Sequence, residues 1–277
     1  SDKLDTNSYF FFFKHLIYVL IGISLIFIFS SLNSDQLYKY SIFLFFISLI
    51  SLFLVPFIGV EVKGSKRWID LFFLPRFQPI EVLKPFLIII LATIFCDIRS
   101  NILFKYLISI ILISIISLLL IAQPDIGQTL LVVFCWAALI FTSGINIYIL
   151  LAIFIAGASL LAYLIIYVPR FDYIQGRIFS FFNRETGTHN FQSDKAIESI
   201  TSGGFFGKGI GEGVLKNRVP EAHTDYIISV ISEEFGVVAI MLILLLFLIL
   251  IYMVFKKISF ETNDKVKLIL IGSISLI

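Results

Sequence analysis

The stretch from Asn146 to Val168 runs 23 residues without one charged side chain. As a helix rising about 1.5 Å per residue, it is long enough to cross a hydrocarbon core about 30 Å thick. Inside such a core every backbone N–H and C=O must find its partner within the segment, so a run of this kind folds as a helix. Further runs of the same character lie at about 12–32, 38–58, 83–97, 102–122, 127–144 and 225–255, and an eighth starts near 266. The 83–97 run is short, so its helix is expected to begin in the preceding loop. With 59% hydrophobic and 14% charged residues and a mean hydropathy of +1.01, no soluble domain could cover this chain with polar surface.

The expected fold is therefore an all-α polytopic membrane bundle. It forms a single integral-membrane domain over 1–277, with seven complete spans and the start of another. The opening "SDKLDTNSYF" has neither an initiator Met nor a signal-peptide pattern, and the last apolar run is too short to span. The chain thus reads as a fragment cut at both ends. A net charge of +2 gives no basis for nucleic-acid binding. Cys96 and Cys135 sit in or at the edge of apolar runs and are expected to pack rather than form a disulfide or bind metal.

Successive connections must alternate between the two membrane faces. One face receives the short loops at 33–37, 98–101, around Gly144 and 256–265. The other receives 59–82, the turn at 123–126 and the long 169–224 connection. Lys256, Lys257, Lys265, Lys267, Arg99 and Lys105 favour the short-loop side as cytoplasmic. Lys63, Lys66, Arg67, Arg76 and Lys84 oppose this count, but they are a poor topology signal if they bind an anionic ligand. The long loops are expected outside.

Four polar constellations interrupt the apolar pattern. In "KGSKRWIDLFFLPRFQPIEVLK" (63–84), Pro79 suits a first helical turn and Glu81 lies near the positive end of the helix dipole. Gln78, Glu81 and Lys84 share roughly one helix face. They form either a pair that caps and solvates a helix end or part of a wet site, since such charges are costly in a membrane unless paired. Trp68 reads as an interfacial anchor. In "AQPDIGQT" (122–129), Asp125 and Gln128 have capping-box spacing, so Asp125 is expected to shape a tight turn and cap the next helix.

The third constellation, "SGGFFGKGIGEG" (202–213), lacks the spacing of a nucleotide loop. It is expected to be a flexible, close-packed segment whose backbone approaches a ligand. The fourth, "VPEAHTDYIISVISEEFG" (219–236), starts polar and enters a span with its carboxylates in place. At 100° per residue, Ser229, Ser232, Glu233 and Gly236 fall within about 100° of the Asp225 face, with Glu234 opposite. Such a stripe faces a bundle interior or a water-filled cleft. The plainer reading makes Asp225 a helix cap and pairs Glu233 with a Lys or Arg. His223 has no partners at metal spacing and no nucleophile nearby. His15 and His189 stand alone.

Taken in order, "GSKRWID…QPIEVLK", "QPDIGQTLLVV", "ITSGGFFGKGIGEG" and "PEAHTDYIISVISEEFG" resemble the SEDS (shape, elongation, division and sporulation) family over nearly the whole chain. "PDIGQT" and "FQSDKAIESI" are most similar to its cell-division branch. Ile80, Lys63 and the glycine-free "LFFLPRF" depart from the family pattern, whereas Glu81, Lys84 and Asp225 match it. The resemblance implies ten spans with both ends cytoplasmic, of which the first here is the second. It also implies a bacterial cytoplasmic-membrane enzyme that polymerises lipid II into peptidoglycan glycan strands on the extracytoplasmic face, with a class B penicillin-binding transpeptidase and other division proteins as partners.

Asp225 then holds the place of the essential carboxylate, and Glu81 and Lys84 those of residues lining the same cavity. An α-linked donor and a β-1,4 product call for one inverting displacement, with Asp225 as general base. Arg67, Lys84, Lys216 and Arg218 are the candidates to stabilise the leaving diphosphate, with a divalent cation (Mg2+ or Mn2+) as an additional candidate. Gln78 and Glu233 are the remaining candidate substrate contacts, and Glu221 and His223 are expected to shape the loop that presents Asp225. A lipid II transporter and a division scaffold without chemistry are the rival readings.

Overall fold

The computed structural model describes residues 8–62, 65–70, 76–97, 101–168, 171–172, 175–176, 191–215 and 226–277. Helices dominate: α1 (Ser8–Ser30), α2 (Ser34–Ile58), α3 (Pro79–Cys96), α4 (Ile102–Ala122), α5 (Ile126–Thr142), α6 (Ile147–Tyr167), α7 (Phe191–Ser202), α8 (Ile227–Phe260) and α9 (Asp264–Ser275). Among these, α2, α3, α4, α6 and α8 are long and apolar enough to cross a membrane, while α5 and the His15–Ser30 part of α1 are apolar but shorter. As its short apolar run suggested, α3 starts early, with Pro79 in its first turn where a missing N–H costs nothing.

Two features go beyond the all-helical expectation. Between α2 and α3 lies a short antiparallel hairpin, β1 (Val60–Val62) and β2 (Ser65–Trp68), pairing Val60 with Trp68 and Glu61 with Lys66. Alternation along β2 exposes Lys66 and Trp68 and turns Arg67 partly inward. The second feature is α7, an amphipathic helix within the long connection between α6 and α8.

The chain forms two compact units, Ser1–Gly144 with Thr262–Ile277, and Ile145–Glu261. In the first, α3 packs against α2, α4, α5 and α9, burying Ile80, Leu83, Leu87 and Leu91. Apolar side chains gain little from leaving lipid for protein, so close packing and buried polar ties hold such helices together. Trp136 Nε1 donates to Ser109 Oγ at 3.2 Å between α5 and α4. Cys135 Sγ lies 3.6 Å from Gly272 O between α5 and α9.

In the second unit α7 packs on α8, and α8 is broken at Gly236, where φ is 78° and ψ −176°. A continuous helix would pair the N–H groups of Val237 and Val238 with the carbonyls of Glu233 and Glu234. Here the segment after α7 takes up both sets. Val237 N–H donates to Gly204 O at 2.9 Å and Val238 N–H to Phe205 O at 3.3 Å. Lys208 N–H donates to Glu233 O at 2.9 Å and Gly209 N–H to Glu234 O at 3.0 Å. This is how a helix in an apolar run tolerates a break: protein backbone replaces the lost rungs. The glycine-rich segment approaches α8 itself, where its sequence had suggested approach to a ligand.

Candidate functional site

The first polar cluster forms where α3 and α5 begin. Asp125 caps α5, its Oδ1 accepting the Gln128 N–H at 3.4 Å, as the spacing of the two residues predicts. Its Oδ2 accepts from Gln78 Nε2 at 2.9 Å and lies 3.7 Å from Arg67 Nε. Arg67 also donates to the turn before α5, through Nε to Gln123 O at 3.3 Å and through Nη2 to Pro124 O. Gln123 Nε2 in turn donates to Leu52 O at 3.1 Å, tying the turn to α2.

One helical turn along α3, Lys84 Nζ lies 2.8 Å from Glu81 Oε2. Gln128 bridges the pair, accepting from Lys84 Nζ at 3.1 Å and donating to Glu81 Oε1 at 2.7 Å. The ammonium is nearly buried, with the Lys84 side chain 11% exposed, whereas Glu81 is 49% exposed. Paired and hydrogen-bonded, both charges become tolerable at a membrane helix end. The cluster thus presents a half-exposed carboxylate, Glu81, whose partners Lys84 and Gln128 are held on two helices, α3 and α5. Asp125→Ala is expected to destabilise the protein by about 2 kcal/mol, read as a lower melting temperature in detergent. Asp125→Asn, which keeps an acceptor for the cap, is expected to lose less than half of that. Equal losses would make the Arg67 ion pair, rather than the cap, the dominant contribution.

The second cluster surrounds Glu233, which is fully buried in α8. Its Oε1 accepts the Leu215 N–H at 3.0 Å and lies 3.4 Å from Lys208 Nζ. Ser199 Oγ of α7 is 3.2 Å from both Glu233 Oε2 and Ser229 O. Ser232 Oγ donates to Ile200 O at 3.3 Å. Ser229, Ser232, Glu233 and Gly236 are the buried positions of α8, the stripe expected from helical geometry. What faces it is α7 and the glycine-rich segment. Ser199 and Lys208 were not singled out from sequence; the signal available was a lysine inside a glycine run, a cation free to fold back onto an intramembrane carboxylate.

Of the residues named from sequence, the structure brings together Arg67, Gln78, Glu81, Lys84, Asp125 and Gln128, and places Glu233 in its own cluster. Asp225, Lys216, Arg218, Glu221 and His223 lie outside the described residues. Among the described residues no three His, Cys, Asp or Glu side chains converge.

A relative from Haemophilus influenzae, named "Probable peptidoglycan glycosyltransferase FtsW", is 32% identical over 266 residues, covering 92% of this chain and 66% of the relative. The chain thus spans just under two thirds of that relative's length. Among solved structures, one described as "Structural coordination of polymerization and crosslinking by a peptidoglycan synthase complex" aligns with a TM-score of 0.75 at 25% identity. That match covers 95% of this chain and 74% of the other. The rod shape determining protein RodA of Thermus thermophilus aligns with a TM-score of 0.66 at 25% identity over 95% of this chain and 71% of its own. The family model described as "FTSW_RODA_SPOVE: Cell cycle protein" matches residues 1–277. Its long apolar helices make the protein a multi-pass membrane protein, and by the match over residues 1–277 it belongs to this family.

Proposed function

We propose that the protein is a peptidoglycan glycosyltransferase that polymerises lipid II during septal wall synthesis, at the outer face of the bacterial cytoplasmic membrane. The observation that carries this reading is the 32% identity, over 92% of the chain, to a relative named as a probable peptidoglycan glycosyltransferase. The cluster around Glu81 and Lys84 supports it: charged groups are held at a membrane helix end by protein partners, with Glu81 left half exposed. In this reading the chain contributes seven complete spans and the start of an eighth. The loops 59–82 and 169–224 lie outside the membrane, and a class B penicillin-binding transpeptidase is the partner.

Asp225 acts as general base. The acceptor hydroxyl gives Asp225 its proton as its oxygen bonds to the anomeric carbon of the donor. The bond from that carbon to the diphosphate oxygen breaks, and the polyprenyl diphosphate leaves with the electron pair. One displacement converts the α-linkage of the donor to the β-1,4 linkage of the glycan. Arg67, Lys84, Lys216 and Arg218 offset the charge that develops on the leaving group, while Gln78 and Glu81 orient the sugar or diphosphate.

The test is glycan synthesis from purified lipid II by the full-length protein in detergent, where no transport across a bilayer is possible. Glycan strands are the expected product. Their absence, together with lipid II transfer across vesicles, would make the protein a transporter instead.

A further inference from the structure

We propose that Phe205, Phe206 and Ile210 form an interfacial membrane anchor, inserted into the lipid leaflet at the Gly236 end of α8. Residues 237–255 number 19 and none is charged. As helix they rise about 28 Å, close to the full hydrocarbon core of about 30 Å. Lys256 and Lys257 close the far end of this run, and Glu233 and Glu234 precede its near end. Gly236 therefore marks the edge of the core. The glycine-rich segment is tied to that edge on both sides of the break. Gly204 O and Phe205 O accept from Val237 and Val238, while the N–H groups of Lys208 and Gly209 donate to Glu233 O and Glu234 O. Phe205 and Phe206 fall within these ties, so α8 sets their level in the membrane.

Polarity along this segment is the reverse of a water-facing loop. Phe205, Phe206 and Ile210 are 75%, 85% and 79% exposed. Lys208, between them in the chain, turns its ammonium inward, with Nζ 3.4 Å from Oε1 of the fully buried Glu233. In water the opposite arrangement is favoured, because the ammonium is best hydrated and the rings are best buried. Apolar groups outside and the charge inside suit acyl chains. The rings also continue a surface that the span itself gives to lipid, since Val237, Val238 and Met241 are exposed just beyond the break. Glu212 is exposed and marks the return of the segment to water, so the anchor ends at Ile210. Apolar side chains held at such an edge reach about 5–10 Å into the boundary between headgroups and acyl chains. The occupant of this surface is the bilayer lipid.

The experiment places the full-length protein in phosphatidylcholine vesicles and reads the emission that one added tryptophan contributes over the parent protein. Phe206→Trp is compared with two references. Leu246→Trp lies midway along the uncharged run of α8, where the parent side chain is 67% exposed, and Glu212→Trp lies on the water side. Bromine placed high on the acyl chains is expected to quench Phe206→Trp by about half or more, and bromine near the chain ends to quench it less, as a depth of about 5–10 Å requires. Leu246→Trp should show the reverse order, and Glu212→Trp should respond chiefly to acrylamide in the water. Ile210→Trp should follow Phe206→Trp.

Acrylamide quenching of Phe206→Trp as strong as that of Glu212→Trp, without any effect of bromine, overturns the anchor and puts the segment in water. Emission shielded from both quenchers also overturns it, because protein then covers the rings, whether from this chain or a second copy. Strongest quenching by bromine at the chain ends removes the interfacial level. Tryptophan itself favours membrane interfaces, so a second measurement replaces Phe206 with photoreactive benzoylphenylalanine and illuminates native membranes. A covalent phospholipid adduct is the expected product, and adducts to protein alone overturn the proposal.

Discussion

Asp225→Asn in the full-length protein is expected to slow lipid II polymerisation by about 10²- to 10⁴-fold, the range over which a positioned general base contributes. The substitution keeps size and hydrogen-bonding capacity but removes the lone pair able to take a proton at neutral pH. The acceptor sugar hydroxyl is a poor nucleophile until that proton begins to leave, so the loss should fall on kcat. KM for lipid II should change little, because an interaction made only in the transition state does not alter ground-state binding. The same experiment separates the family's chemistry from mere carriage of lipid. A transporter needs no base, and its flux would survive the amide. Polymerisation at the parent rate would end the base assignment and direct attention to Glu81, the half-exposed carboxylate of the other cluster.

Much of this arrangement was legible in the sequence because the rules involved are local. A helix in lipid must pair its own backbone, so uncharged runs such as Asn146–Val168 declare α6 directly. Capping chemistry acts over three residues, and Asp125 with Gln128 behaves as that spacing requires. Helical angle alone placed Ser229, Ser232, Glu233 and Gly236 on one buried face. What the sequence could not supply was the partner for that face. Ser199 and Glu233 are 34 residues apart, and no local rule says that α7 folds back on α8. The break at Gly236 was hidden for a related reason: its apolar neighbours read as one uninterrupted span, and only the loop that fills the gap makes the break affordable. The β1–β2 hairpin, with strands of three and four residues, was too short to rise above the helical pattern around it.

Gly236→Ala is expected to be the most damaging small substitution for stability, at about 3–5 kcal/mol. Its φ of 78° and ψ of −176° fall in a region that only glycine occupies comfortably, which alone costs about 1–3 kcal/mol. The added methyl would also stand 2.3 Å from Phe205 O and 2.4 Å from Gly207 N, both backbone atoms that cannot rotate away. Gly207→Ala attacks the same contact from the loop side, placing a Cβ 2.1 Å from Glu234 O at a φ of +78°. A drop in apparent melting temperature of roughly 10 °C is expected for each. The two together should cost less than their sum, because either one dislodges the same patch. Gly157→Ala is the control. That glycine lies within α6 and a Cβ there meets nothing within 4 Å, so its effect should stay within about 1 kcal/mol. Were Gly236→Ala to melt with the parent protein, α8 would have to run unbroken through position 236. The loop from Gly204 to Gly209 would then lose the four backbone partners that hold it to the helix.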